Sequence, residues 1–385
     1  MRRVTPPRSW GDEVTLDQLD RAHHETMAAL RATAPVVWVP ALAGWVVTRR
    51  AEAVEVMRDP RRFTVDDPRF STARVVGPSM LSLDGPNHRR HREPFVEALR
   101  AAGAVERLTP AVEGAARRLL QRTCGAATIE LRGELAGPLA VGVVALALGA
   151  PQLDDGELLG WYRAIVASVD TVARGGEPTE AGAAALAGVA EAIAGWLPRP
   201  GSPLDVAGRT LTPAEVLSNA AVFLFGGIET SEGMTANAFA HVLGAGWWPR
   251  VVAEPQLIDA VIEESLRLEP AAARVDRYAT TDTQLAGSAI GSGDLVVVSI
   301  AAANRDPLVF DHPDRFDPRR ANRHLHLAFA QGPHACLGAR LARVEAGAAL
   351  RAATHVAPGI ELVHLGATSG IVFRKPDSVT VRRGS

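Results

Sequence analysis

The chain has 385 residues, 47% of them hydrophobic and 22% charged, with a formal net charge of −2. This is a globular composition, long enough for one large core or two smaller ones, and its near-neutral balance argues against nucleic acid as the main partner. Only two cysteines occur, Cys124 and Cys336, which excludes a disulfide framework and argues against a cysteine-based zinc site.

The basic side chains are almost all arginine, Lys375 being the sole lysine. They spread along the whole chain, which reads as genome composition rather than function. The N-terminus, MRRVTPPRSWGDEV, is charged and proline-containing, with no apolar stretch behind it. No apolar run of roughly 18 residues or more occurs anywhere, so neither signal peptide nor membrane anchor is expected, and a soluble cytoplasmic protein is.

In chain order, PVVWVP (35–40) and GWVVTR (44–49) predict a hairpin, and helical segments dominate from there to about residue 270. The Ala/Gly-rich stretch 181–195 has helical composition and weak amphipathicity. Thr212-Pro213-Ala214-Glu215 is a capping box with proline at the first helical position. The helix it opens continues to Val242, with Gly244 and Gly246 as the stop. At its centre, Gly226-Gly227-Ile228-Glu229-Thr230-Ser231 joins a glycine pair to polar residues, both of which weaken a helix. A helix start at Glu-Thr-Ser, after a break at the glycines, is the plain alternative. DLVVVSIAAA (294–303) predicts a strand running into a buried turn, and NRDPLVFDHPDRFDPRR (304–320) an ordered coil. A helix over 337–353 follows Cys336, and GIELV (359–363) with SVTVRR (378–383) suggests a terminal hairpin. No repeat, linker or composition break appears, so one domain spanning 1–385 is expected.

Three local patterns carry chemistry. In the segment from Phe329 to Gly338, Gly332 allows a tight turn and Gly338 lets backbone approach a flat ligand closely. Cys336 lies just before a helix, where exposed N–H groups and the helix dipole favour a thiolate and amides can donate to the sulfur. A buried, inert cysteine is the alternative, and local physics leaves the two even. Glu264 and Arg267 share a face at i,i+3 of a helical segment, Gln256–Leu268, and can pair, although most such pairs contribute little. His88 and Arg92 project together at i,i+4 from a helix begun by Pro86 and could bind two anionic groups. A solvated basic face is the alternative, and a good one for Arg89 and Arg90.

Together these segments resemble the cytochrome P450 family. Phe329 to Gly338 is similar to the signature F-x-x-G-x-H-x-C-x-G, Glu264 and Arg267 to E-x-x-R, and Pro313-Asp-Arg315-Phe316 to the meander motif. His88 and Arg92 resemble H-x-x-x-R, and residues 226–231 resemble [AG]-G-x-[DE]-T-[TS]. The order is the family's own, from about residue 10 to the end. The fold implied is mainly α with small β-sheets: a single-domain triangular prism with haem between the long central helix and the Cys-loop helix.

The resemblance implies haem b with Cys336 as the thiolate ligand of iron, whose electron donation favours O–O cleavage. It also implies that His334 faces a haem propionate, that Phe329 shields the sulfur, and that Gly338 lies against the cofactor. His88 and Arg92 would bind propionate, with Arg277 beside the other one. Gly227 would leave room for O₂, Thr230 would hydrogen-bond dioxygen or an ordered water, and Glu229 would relay protons. Glu264, Arg267 and Arg315 would interlock behind the Cys loop in a structural role. Ala330 departs from the family by standing where glycine is usual.

The pocket residues that the resemblance implies are Phe223, Ala273, Val275, Ile371 and Val372, apolar and mostly small, which points to a largely apolar small molecule, in secondary metabolism. Spacing does not decide whether Arg274 or Arg374 reads a charge on it. No flavin or nicotinamide fingerprint is present, so electrons are expected from a separate ferredoxin and its reductase. Arg89, Arg90, Arg92, Arg340 and Arg343 form the expected docking face of a monomeric enzyme. Oxidative coupling or peroxide-driven oxidation keeps the same fold, and a non-catalytic haem-thiolate sensor is the alternative from another class.

Overall fold

The early hairpin forms as β1 (Val36–Val39) and β2 (Gly44–Val47), paired antiparallel from Val36↔Val47 to Val39↔Gly44. The computed structural model describes residues 10–100, 103–149, 155–194 and 200–383; the reading of the first nine residues lies outside them. Strand β3 (Phe63–Thr64) lies at the far edge of the sheet that holds β1 and β2, and β4 (Thr128–Glu130) belongs to a second sheet. Then come β5 (Arg274–Ala279), the small pair β6 (Thr283–Leu285) and β7 (Ser288–Ile290), and β8 (Leu295–Ser299). The last four are β9 (Ile360–Leu365), β10 (Thr368–Ser369), β11 (Lys375–Pro376) and β12 (Val379–Arg383). The main sheet runs β1-β2-β8-β5-β3, with β2 and β8 parallel.

Helices make up most of the rest. They are α1 (Leu16–Arg21), α2 (His23–Thr33), α3 (Arg50–Arg58), α4 (Ser71–Val76), α5 (Gly85–Arg100), α6 (Ala104–Arg122), α7 (Gly137–Leu148) and α8 (Asp155–Ala173). After them come α9 (Glu180–Ala194), α10 (Pro203–Gly208), α11 (Pro213–Gly244), α12 (Trp248–Ala253), α13 (Ile258–Leu268), α14 (Ile300–Ala303) and α15 (Ala339–Val356). A mainly helical chain with small sheets is what the sequence led us to expect.

The capping box at Thr212 and Glu215 is present in both directions, with Pro213 in the first turn of α11. Its 32 residues span about 48 Å at ~1.5 Å per residue, enough to cross the molecule and pack against α7, α8, α13 and α15. The helix is unbroken through Gly226 and Gly227, so the alternative of a fresh helix start at Glu229 falls. Two expectations shift at their edges. Residues Pro255–Leu257 form a 3₁₀ turn ahead of α13, and the Cys-loop helix begins at Ala339. The terminal strands pair, but as the β12–β9 half of a three-stranded sheet with β4 on the other side. Between them, the β10–β11 pair projects a loop back toward α11.

Candidate active site

The cysteine loop is held by backbone. Gly332 has φ +73, and a Cβ there would lie 2.3 Å from the Met57 carbonyl oxygen, so only glycine fits. The Cys336 amide donates to Phe329 O at 2.8 Å, closing the loop. The Phe329 ring packs under the Arg343 guanidinium, 4.4 Å from its centroid. Ala330, the residue that departs from glycine, sits at φ 55 in the left-handed region.

Cys336 keeps an exposed surface although surrounding protein desolvates its thiol. Burial pushes the thiol pKa up, while the N–H groups of Gly338 and Ala339 and the charges of Arg92 and Arg343 favour the thiolate.

Near the thiol, Arg277, His88 and His334 are short of partners. Arg277 is buried, only 4% exposed, with one hydrogen bond, to the Asp276 carbonyl, and no carboxylate within ion-pairing distance among the described residues. Desolvation lowers its pKa to about 10. The His334 and His88 rings lie 4.3 Å apart. His334 Nε2 bonds Asp84 at 2.9 Å, which leaves its buried Nδ1 bare; His88 Nε2 is equally without a partner. Asp84 is raised by burial, yet hydrogen bonds from His334, Thr64 and the Val65 amide outweigh that and hold it at about 2. Arg92 reaches the Ala335 carbonyl, next to the cysteine. Buried cationic and hydrogen-bonding groups with unfilled capacity, gathered beside a thiol, fit a planar cofactor carrying carboxylates.

On α11, a Cβ at Gly227 would lie 2.8 Å from Val144 Cγ2 of α7, whereas one at Gly226 would meet nothing within 4 Å. The room expected at Gly227 is therefore at Gly226, and Gly227 instead lets two helices approach. Thr230 Oγ1 donates to Gly226 O at 2.6 Å, leaving its oxygen free to accept. Glu229 Oε2 accepts from Lys375 Nζ at 2.8 Å and from the Tyr162 hydroxyl. Glu232, one turn on, bonds Arg132 at 2.6 Å and Tyr162 at 2.9 Å. Burial, then the two carboxylates, push the Tyr162 phenol far up, so it is a permanent donor. Sequence reasoning missed Tyr162, Glu232, Arg132 and Lys375. Only the solitary lysine and the i,i+3 glutamates could have drawn notice.

Glu264 and Arg267 form a two-pronged pair at 2.8 Å with both side chains fully buried. Arg267 also donates to the carbonyls of Asn304, Pro313 and Arg315. The side chain expected from Arg315 is exposed; Arg320 takes its place, with Nε 3.1 Å from Glu264 Oε1. The motif is met through a backbone carbonyl because the irregular coil turns Arg315 outward.

The expected pocket wall is only partly assembled. Phe223 stacks on Phe95 at 5.0 Å. Val275 packs in the same cluster as Ala330. Ala273 is fully buried and bonded to the Val372 carbonyl, so it offers no surface. Ile371 is largely buried in a core with Leu19 and Met27, though it and Val372 border a cavity near Glu229. Arg374 is saturated by Glu269 and the carbonyls of Asp20, Gly370 and Thr368. Arg274, by contrast, has Nε and Nη1 buried without partners. On the cysteine side, Arg90, Arg340 and Arg343 are tied to Glu215, Glu106 and Glu263. The expected basic face is thus partly neutralised, and Arg89 is exposed on it.

A family model for cytochrome P450 matches residues 252–353. The chain is 31% identical to cytochrome P450 107B1 of Saccharopolyspora erythraea, over 80% of each chain. It is 32% identical to nocardicin C N-oxygenase of Nocardia uniformis, over 94% of this chain and 93% of that one. The structure of the ligand-free P450 monooxygenase TamI matches with a TM-score of 0.83 at 30% identity, covering 97% and 95% of the two chains.

Proposed function

The chain belongs to the cytochrome P450 family, an oxidoreductase of the monooxygenase type, and from that premise we propose that it oxidises a largely apolar small molecule in secondary metabolism. Relatives in macrolide tailoring, such as erythromycin C-12 hydroxylase of Saccharopolyspora erythraea, 30% identical over 87% of this chain, support the setting. The family implies haem with a cysteine thiolate ligand; we assign haem b, Cys336 as that ligand, and one catalytic domain over 1–385.

The observation that carries the assignment is the accessible thiol in a glycine-turned loop that also carries His334, with His88, His334 and Arg277 nearby short of hydrogen-bond partners. His88, Arg92, Arg277 and His334 would hold the carboxylates. Phe329, Gly338 and the amides after Cys336 would shield and tune the sulfur. When bound, the haem supplies dioxygen reduction and insertion of one oxygen atom, while the protein orients, protonates and excludes water. Thr230 accepts a hydrogen bond on the side opened by Gly226, and Glu229 takes protons inward. Phe223, Val275 and Val372 contact the substrate. Electrons come from a separate ferredoxin and its reductase, docking about Arg89 and Arg92 of the monomer. Among the described residues no helix is long and apolar enough to cross a membrane.

The test is the reduced, CO-bound spectrum of the purified protein. The red-shifted Soret band of a thiolate-ligated haem is expected, with at least about tenfold loss of that band in Cys336→Ser. An unshifted band in the parent would sink the reading. A spin-shift screen of apolar metabolites then finds the substrate, and labelled O₂ separates insertion from coupling.

A further inference from the structure

The single lysine of the chain stands where composition alone gives no reason for it. Lys375 is on β11, paired with Ser369 of β10. Its side chain is 12% exposed. Its ammonium has three N–H donors and meets three oxygens: Glu229 Oε2 at 2.8 Å, Tyr162 Oη at 3.1 Å and Glu232 Oε2 at 3.3 Å. An arginine fork would grip one carboxylate in a plane; a compact ammonium can serve three acceptors at once. The cluster borders a cavity of about 510 Å³ between α8, α11 and the β10–β11 loop. No described residue donates to Glu229 Oε1.

We propose that Lys375 is the positioning residue of the proton intake. It clamps Glu229 and Glu232 to Tyr162, fixing Oε2 of Glu229 and leaving Oε1 to take a proton from a hydronium ion of solvent reaching the cavity, whose water molecule returns to solvent. That proton forms an O–H bond on Oε1 and leaves toward Thr230, restoring the carboxylate, with no net redox change. The lysine's hairpin also meets the residues ahead of β5, where the Ala273 amide donates to Val372 O at 2.9 Å and Ala272 bridges Phe373. The intake is therefore mounted on the same loop as Val372 of the substrate wall. This rests on Glu229 acting as the acid of the relay.

Two measurements on the holoenzyme test it. Expression with lysine labelled at the ε-carbon gives one side-chain resonance, from Lys375. That resonance is expected to move in Glu229→Gln; a position unmoved there and in Glu232→Gln would overturn the clamp. With the strongest spin-shifting compound of the screen as substrate, peroxide released per electron pair consumed is expected to rise about threefold to tenfold in Lys375→Met. Lys375→Arg, which keeps the charge, should fall between parent and Met variant. If Glu229→Gln raises peroxide and Lys375→Met does not, the lysine's role is wrong while the relay stands. If Glu229→Gln itself leaves peroxide unchanged, the relay reading fails and this inference with it.

Discussion

Single side chains set the chemistry. Cys336, His334, His88, Arg92, Glu229 and Thr230 could be singled out in the sequence because each stands at a fixed spacing within one loop or helix, and the chemistry proposed for them follows from that spacing. Lys375, Tyr162 and Glu232 were not. Their contacts span separations such as 213 residues between Lys375 and Tyr162, which no local pattern records. Ala330 was half legible: its departure from glycine was visible, its φ of 55 was not. A non-glycine residue in that region costs about 1–2 kcal/mol, offset by about 0.4–1 kcal/mol for the freer unfolded chain that glycine brings. Ala330→Gly is expected to stabilise the protein by about 0–1.6 kcal/mol, read from urea unfolding midpoints. A clear loss of stability would show that the loop gains more from the methyl group, packed against the β5 cluster, than it loses in strain.

Between elements, the tie from α13 to the coil was read correctly in kind and wrongly in one partner. The i,i+3 spacing of Glu264 and Arg267 placed them on one face, but sequence could not say that the face is fully buried. Nor could it say which arginine of DRFDPRR turns inward, since a coil has no period. The geometry makes the three residues unequal. Arg267→Ala leaves the buried Glu264 with Arg320 and the Asp317 amide as its remaining partners and is expected to cost about 3 kcal/mol, the low end for breaking a buried pair. Arg315→Ala removes an exposed side chain while its carbonyl still accepts from Arg267, so a change within about 0.5 kcal/mol is expected. Thermal melts of the two variants decide this. Comparable losses would restore Arg315 to the interlock and undo the assignment of Arg320. The same limit applies to Gly227: the motif marked the glycine, but only the packed helices show that it faces Val144 rather than open space.

Across the whole molecule, the long buried helix was legible because its cap, length and apolar run all agreed, whereas the charge of its partner was not. Glu345 sits on α15 in a stretch that reads as an ordinary amphipathic helix. Packing against α11 leaves it 1% exposed, with a hydrogen bond to Ser231 and Oε1 unpartnered. Burial raises its pKa from 4.5 to about 8. A folded-state pKa above the unfolded value means the native state binds more protons between the two, so its stability falls as pH rises through that window. His23 and His241 act in the opposite sense: burial lowers them from 6.5 to about 3 and about 4, so they withdraw stability as pH falls below 6.5. Below 6.5 the effects overlap. Between 6.5 and 8, the Glu345 contribution stands apart from these histidines. Over that interval it is expected to withdraw about 2 kcal/mol, at 1.36 kcal/mol per pH unit. Glu345→Gln, which keeps the shape and the hydrogen bond to Ser231, should flatten that decline. Urea unfolding of parent and variant holoenzyme at the two ends of the interval measures it. A decline of equal size in both proteins would mean that Glu345 does not carry the buried proton, and that another group titrates with folding.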